Sequence, residues 1–473
     1  MILLYAIIEI YLIFWANKLE LAEILNQIPK YKEFMTIDEL DDSSKRLAES
    51  FDNVDLKEIG KSREGRTIYC LKIGEGKENA LLFAFPHPNE PIGSMSLEFL
   101  SWFLSENPNF TKETRFTWYL IKATDIDGAI LNEGWFKGEF NPIKYSKNYY
   151  RPATFEQVDW NFPVKYKKLS FDSPLPETQA LMALISNLKP NFMYSLHNSS
   201  FGGVYYYISK EIGNLYTDLV NFVTRENMPI HLGEPEMSNI KKLHDGFFQT
   251  TGVQEIYDSL EAEGIENPQQ VIKMGTSSLD YHRNIVGKES FSFVCEIPYF
   301  YDKRIADFSL TDLNRKNLRI ESLEYIKNIY KHSKKIFRSI RKYCNKYTRI
   351  YTAVEDYFWR RGSTLNLQIH EAKISSHYNG KATAAQAFDL NISKRWYDLL
   401  YVSMITRLCD EAISNHPENE VEITKIKCDF EKWVEQKITE LLNSVKFEVI
   451  PIQKLVRVQI GSAFITLKNL KEN

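Results

Sequence analysis

Two of the nine histidines in this 473-residue chain stand where a strand-like run gives way to a loop. His87 lies in FAFPHPNEPIG with Glu90 three residues on, and His197 lies in NFMYSLHNSS. An imidazole and a carboxylate at that separation, on the turn leaving a strand, can reach one cation from the same side. A second imidazole completes the two-His, one-Glu set of a catalytic zinc, with a fourth position left for water. A third such run, SFSFVCEIPYF, carries Glu296 with no cation near it in sequence. A carboxylate beside a metal-activated water is a suitable general base. Taken singly, each residue also has a plainer reading: His87 and His197 as hydrogen-bonded core imidazoles, Glu90 and Glu296 as partners of Arg or Lys. The pattern HxxE alone is weak, but two prolines restrict this loop, and four such residues at three strand ends favour the metal.

The elements that must position these residues follow an α/β rhythm. Strands are expected at 67–74, 80–87, 115–123, 191–197, 204–209 and 290–298, several of them continuous β-branched and aromatic runs of the kind covered on both faces of a sheet. Open sheets of this class place their sites at the carboxyl ends of the strands, where His87, His197 and Glu296 fall. Met95, Phe99, Trp102 and Phe103 recur at helical spacing over 94–106, and Pro176 and Glu177 mark a helix start in 175–188. The fold class is therefore α/β, a mixed, mostly parallel twisted sheet with helices on both faces, extended by an α-helical C-terminal region. Three parts are expected: an N-terminal helical segment (1–50), the catalytic domain (51–345) and a mainly helical extension (346–473).

The composition, 44% hydrophobic with few Gly and Pro, provides for a sizeable core and excludes disordered and collagen-like classes. A net charge of −3 is too even for a nucleic-acid partner. Five scattered cysteines without a CxxC pair exclude a disulfide framework, a zinc ribbon and a thioredoxin-type centre, and point to the cytoplasm. The apolar opening MILLYAIIEIYLIFWA is shorter than a membrane span needs and lacks the positive leader of a secretory signal, so it reads as a buried helix, with export or anchoring as the alternative. The basic stretch from Lys327 to Arg349 is read as a solvated helix face. Residues 396–412 and 430–445 continue the helical pattern, while 447–466 alternates like a strand and then turns helix-like.

Beyond these single features, the sequence resembles the zinc metallocarboxypeptidases of the carboxypeptidase A type, as a bacterial cytoplasmic-type member. IGKSREGRTIYCLKIG is similar to the family's opening strand segment, HPNE to its His-x-x-Glu ligand pair, DIDGAILNEGWF to the segment after the next strand, and SLHNS to the third-ligand segment. GTSSLDYHRNIVGKESFSFVCEIP resembles the pocket loop leading to the catalytic glutamate. The resemblance implies one zinc held by His87, Glu90 and His197, and Glu296 as general base and proton shuttle. It also implies Arg151 of NYYRPA as the oxyanion-stabilising arginine, and a peptide or related amide as substrate.

The chain also departs from the family. Where digestive members have an Asn-Arg pair that grips a terminal carboxylate, QVDWNFP offers Asp159 and Asn161 but Phe162 in the arginine's place. No tyrosine stands where the family's mobile one falls; Ile272 is near that place, with Tyr281 and Arg283 as substitutes. Leu279 at the pocket base favours an apolar group. Without the bidentate arginine, recognition of a free carboxylate is in question. Two alternatives remain: an aspartoacylase-like small-molecule deacylase, against which DIDGAILNEGWF speaks, and a non-catalytic zinc-binding module, whose mark would be loss of a ligand or of Glu296. The other histidines are read as surface or core residues, with His282 nearest the pocket. Tyr205, Tyr206 and Tyr207 are read as a core strand, and Cys295 as a buried strand residue facing away from Glu296.

Overall fold

The computed structural model describes residues 21–234, 240–262, 264–287 and 289–472. The apolar opening lies outside them. Among the described residues no helix is long and apolar enough to cross a membrane.

Among the described residues ten strands form one mixed sheet: β1 (Val54–Lys61), β2 (Thr67–Ile73), β3 (Glu78–Phe83), β4 (Phe116–Ile121), β5 (Phe192–Phe201), β6 (Tyr205–Ile208), β7 (Lys242–His244), β8 (Phe247–Gln249), β9 (Phe291–Tyr301) and β10 (Glu448–Val449). Their order is β1-β2-β4-β3-β5-β9-β6-β8-β7, with β10 pairing onto β9. The centre, β4-β3-β5-β9, is parallel, and antiparallel strands flank it on both sides. Both β5 and β9 are buried along almost their whole length, as continuous apolar runs at a parallel centre should be.

The principal helices are α1 (Ile37–Ser50), α2 (Ile92–Glu106), α3 (Pro176–Leu188), α4 (Ser278–Val286), α5 (Arg315–Ile340), α6 (Arg349–Ile374), α7 (Lys394–Asn415), α8 (Glu420–Leu442) and α9 (Ile452–Glu472). Helices α2 and α9 pack on one face of the sheet, and α3 and α4 on the other. Strand periodicity sorts the side chains between the two faces. On β9, Cys295 points toward Ser462 of α9, with Sγ 3.9 Å from the hydroxyl. Ser292, an odd number of positions away, meets His282 of α4 at 2.7 Å. Glu296 shares the face of Ser292, so the same alternation that buries Cys295 under α9 turns Glu296 to the opposite side. Burial pushes the Cys295 thiol up to about 12, as expected of an inert core cysteine.

The C-terminal region departs from its sequence pattern in three places. Residues 310–314 pair with 381–383, so α5 begins only at Arg315, with Asn314 capping its first turn. Helix α6, which the sequence reading does not single out, follows α5 directly and packs against it. The strand-like alternation after Phe447 becomes a two-residue pairing with β9, because Pro451 ends the ladder and α9 starts at Ile452.

Candidate metal centre and active site

The loop after β3 is shaped by its backbone. Phe85 is fully buried at φ 50°, a left-handed conformation a bulky residue rarely adopts. Its carbonyl and that of Ala84 accept from Thr124 and Asp125 on the loop after β4. One turn then closes from the Glu90 amide to the His87 carbonyl at 3.1 Å, which brings the two side chains to one side. Gly93, at the start of α2, permits close approach to β5: a Cβ there would lie 2.7 Å from Leu196 Cβ.

His197 and Glu296 stand opposite each other in the parallel register of β5 and β9. Ligand atoms of His87, Glu90 and His197 lie within 4.8 Å of one another, and all three residues are buried. His197 Nδ1 is 3.0 Å from Glu90 Oε2 and 3.7 Å from Glu296 Oε1. Its other nitrogen, Nε2, meets Ser195 Oγ at 2.9 Å and Asp159 Oδ2 at 3.4 Å. A carboxylate behind a histidine fixes ring orientation and raises ligand basicity. His87 Nδ1 is buried and has no hydrogen-bond partner. Burial, with Arg151 and His197 nearby, pushes His87 well below the usual imidazole range, so it is neutral and its lone pair is available. At His197 burial acts the same way but is outweighed by Asp159, Glu90 and Glu296, which hold it well above that range. A buried set of two imidazoles and one carboxylate, one nitrogen of it orphaned, fits a zinc ion.

Arg151 reaches this group from the loop after residue 150: Nη1 donates to Glu90 Oε1 at 2.7 Å and to Asn89 Oδ1 at 3.2 Å. Burial works against its charge, but the adjoining Glu90 holds it protonated. The group opens into a cavity of about 340 Å³, within the size range of ligand sites. Glu296, Arg151 and Leu279 line it together with the three metal-binding candidates.

Asn161, Tyr281 and Arg283, expected as substrate contacts, do not line this cavity. The Asn161 amide is spent on backbone, donating to the Phe155 carbonyl at 2.7 Å and accepting from the Leu175 amide at 2.7 Å. Tyr281 packs against the buried ring of Phe162, centroids 5.0 Å apart, and Arg283 pairs with Asp280 on its own helix. His282 is likewise a core residue: Nδ1 is bonded to Ser292 Oγ and Nε2 to the Pro190 carbonyl at 2.8 Å, and burial lowers its pKa to about 4. His231 is half-buried against the buried Asp389 at 3.1 Å.

Other residues reach the cavity without a signal that the sequence reading used. Tyr207 is half-buried and lines it, unlike the fully buried Tyr206. Tyr397 and Tyr401 come from α7, far along the chain, and stand beside Tyr149. Their spacing of four puts both on one face of a helix, but nothing in sequence ties that face to His197. Asp159, matched above without a role, backs His197.

The zinc carboxypeptidase family model matches residues 41–321, more than half of the chain, and the protein belongs to that family. Among solved structures, the chain is similar to carboxypeptidase A from Helicoverpa armigera, at 16% identity over 56% of this chain and 65% of that one, with a TM-score of 0.38. It therefore spans just under two thirds of that relative's length. It is similar also to bovine thrombin-activatable fibrinolysis inhibitor, solved with tick carboxypeptidase inhibitor (16% identity, 56% of this chain, 87% of that one, TM-score 0.36). A third is a metallo-carboxypeptidase from Burkholderia cenocepacia (13% identity, 56% and 60% coverage, TM-score 0.32). No curated protein sequence matches the chain.

Proposed function

We propose that this protein hydrolyses a peptide or related amide bond, with one zinc ion held by His87, Glu90 and His197 and with Glu296 as general base. The observation that carries the reading is the buried convergence of those three side chains within 4.8 Å, with His87 Nδ1 unpartnered and Glu296 3.7 Å from His197. The chemistry a bound zinc supplies is a lowered pKa for water, from about 15.7 toward about 7, and polarisation of the scissile carbonyl.

The chain's own residues perform the remaining tasks. Glu296, on the cavity wall opposite His197 in register, accepts the proton of the attacking water and returns it to the departing amine. Arg151 offers a guanidinium to the carbonyl oxygen as it gains negative charge, an effect that is strong in a site sheltered from water. Asp159 and Ser195 hold the His197 ring from behind. Tyr149, Tyr397 and Tyr401 wall the site on the side of the C-terminal helices.

Metal analysis of the purified protein is the direct test. About one zinc per chain is expected for a three-ligand site, and full zinc occupancy in a His87→Ala variant would remove the ligand assignment. Amide hydrolysis is expected from the zinc-loaded protein and not from protein stripped by a chelator.

A further inference from the structure

The charges on the cavity wall bear on what can enter it. Three carboxylates line it, those of Glu90, Asp159 and Glu296, and among the described residues Arg151 is its one arginine or lysine, already bonded to Glu90 at 2.7 Å. A dication at the ligand group would balance the excess of two carboxylates and leave no positive charge over. Cations on neighbouring residues do not line it: Lys273 Nζ sits 3.4 Å over the Trp359 ring, Arg283 is paired with Asp280, Lys242 with Asp245, and Lys241 is exposed. The lining also carries the apolar Ile256, Met274, Leu279 and Val294, with the uncharged Gln157, Thr251 and Ser277 among them, while the tyrosines of α7 stand near Arg151.

A carboxylate brought here would leave water for a wall already rich in carboxylates, where the one guanidinium among the described lining residues, Arg151, is shared with Glu90 and with the scissile carbonyl. Such a transfer is costly, whereas a neutral amide with an apolar side chain loses little. Building on the amide-hydrolase reading above, we infer that the enzyme prefers neutral substrates, acylated amines or C-terminally amidated peptides with an aromatic or aliphatic group in the apolar end, and discriminates against a free C-terminal carboxylate. The discrimination arises from a missing counter-ion as much as from an attractive pocket.

The test compares N-benzoyl-glycyl-phenylalanine with its C-terminal amide. With zinc-loaded wild-type protein, kcat/KM for the amide is expected to exceed that for the acid by about tenfold or more. Ile256→Arg, which places a cation on the half-buried apolar wall, is expected to move that ratio toward the acid by about tenfold. Calorimetric binding of the same pair to zinc-loaded Glu296→Gln protein gives a readout independent of turnover, and the amide is expected to bind about tenfold tighter. Tighter binding or faster turnover of the acid overturns the inference, as does binding of neither ligand at millimolar concentration. If the binding order holds while wild-type protein hydrolyses neither compound, the neutral pocket stands and the hydrolase reading falls.

Discussion

Two clusters of charged side chains, each largely buried, lie beside this sheet, and they differ in the cations that meet their carboxylates. In the first, Arg63, Arg66 and Arg349 face Asp125, Asp127 and Glu177, with Glu156 and the exposed Glu64 at its edge. Arg349 bridges to Asp127 at 2.7 Å and to Asp125 at 3.3 Å, Arg66 reaches Asp127 at 2.8 Å, and Arg63 reaches Glu177 at 3.3 Å. In the second, Glu90, Asp159 and Glu296 face Arg151 and two imidazoles. Unpartnered buried atoms occur in both, Asp125 Oδ2 and Glu177 Oε2 in one and His87 Nδ1 and Asp159 Oδ1 in the other. Neither hydrogen-bond satisfaction nor an excess of carboxylates separates them, and the kind of cation does. The first cluster is held by guanidiniums, which offer a metal no lone pair, and joins the first turn of α6 to the loops beside β2 and β4. The second sets two imidazoles among its carboxylates, one with an unpartnered buried nitrogen, the donor set a divalent cation requires.

The contrast can be broken from either side. The largest effect is expected at the imidazole cluster: Glu296→Gln should lower the turnover of zinc-loaded protein by about 10²- to 10⁴-fold with zinc content unchanged. Undiminished turnover would remove Glu296 as the base. At the guanidinium cluster, Arg349→Met leaves Asp125 and Asp127 buried short of a partner and should cost about 3–5 kcal/mol of stability, read from urea unfolding. An unchanged midpoint would mean that the cluster is relaxed by water or by proton uptake at Asp125, whose pKa burial already raises.

A third buried group titrates with neither cluster and isolates the effect of burial alone. His282 has its pKa lowered from 6.5 to about 4. The unfolded chain therefore takes up a proton near pH 6.5 while the folded protein does not until about pH 4. Between those values the unfolded state binds more protons, so stability is full above pH 6.5 and declines as the pH falls toward 4, by about 3 kcal/mol from this group. Unfolding midpoints of wild-type and His282→Gln protein across that window should show the acid slope reduced in the variant, and equal slopes would assign it elsewhere. The smallest effect is expected from Asp159→Asn, which keeps the shape behind His197 and removes the charge. Zinc affinity should fall by about 10- to 100-fold, measured by competition with a chelator, and an unaltered affinity would reduce Asp159 to a packing residue.

The deviations between sequence pattern and structure have local causes. Most of the basic run ending at Arg349 is solvated, as an amphipathic helix face should be, with Lys331, Lys335, Arg338, Arg341 and Lys342 exposed. Arg349 itself turns inward to acids more than 200 positions earlier in the chain, a partnership no local pattern encodes. Asn161, Tyr281 and Arg283 were expected at the cavity from their places in short motifs, but each has a nearby partner that holds it away: backbone for Asn161, Phe162 for Tyr281, Asp280 for Arg283.

What the sequence by itself determined is the part of the site governed by short-range rules. The spacing of His87 and Glu90 on one turn and the alternation that sends Cys295 and Glu296 to opposite faces follow from strand and turn geometry within a few residues. The strand ends expected at His197 and Glu296 do not: β5 runs on to Phe201 and β9 to Tyr301, because their parallel pairing continues past both residues. Tertiary structure alone decided what surrounds them. The β5–β9 register sets His197 against Glu296, Asp159 is carried behind the imidazole by a loop, and α7 brings Tyr397 and Tyr401 to the cavity from a region beyond the family match. The physical reason is that metal-ligand spacing is local and repeats with the backbone period, whereas the charge balance and apolar lining of a cavity depend on which distant elements the core packs together. Those distant contacts determine which charges are present to receive a substrate.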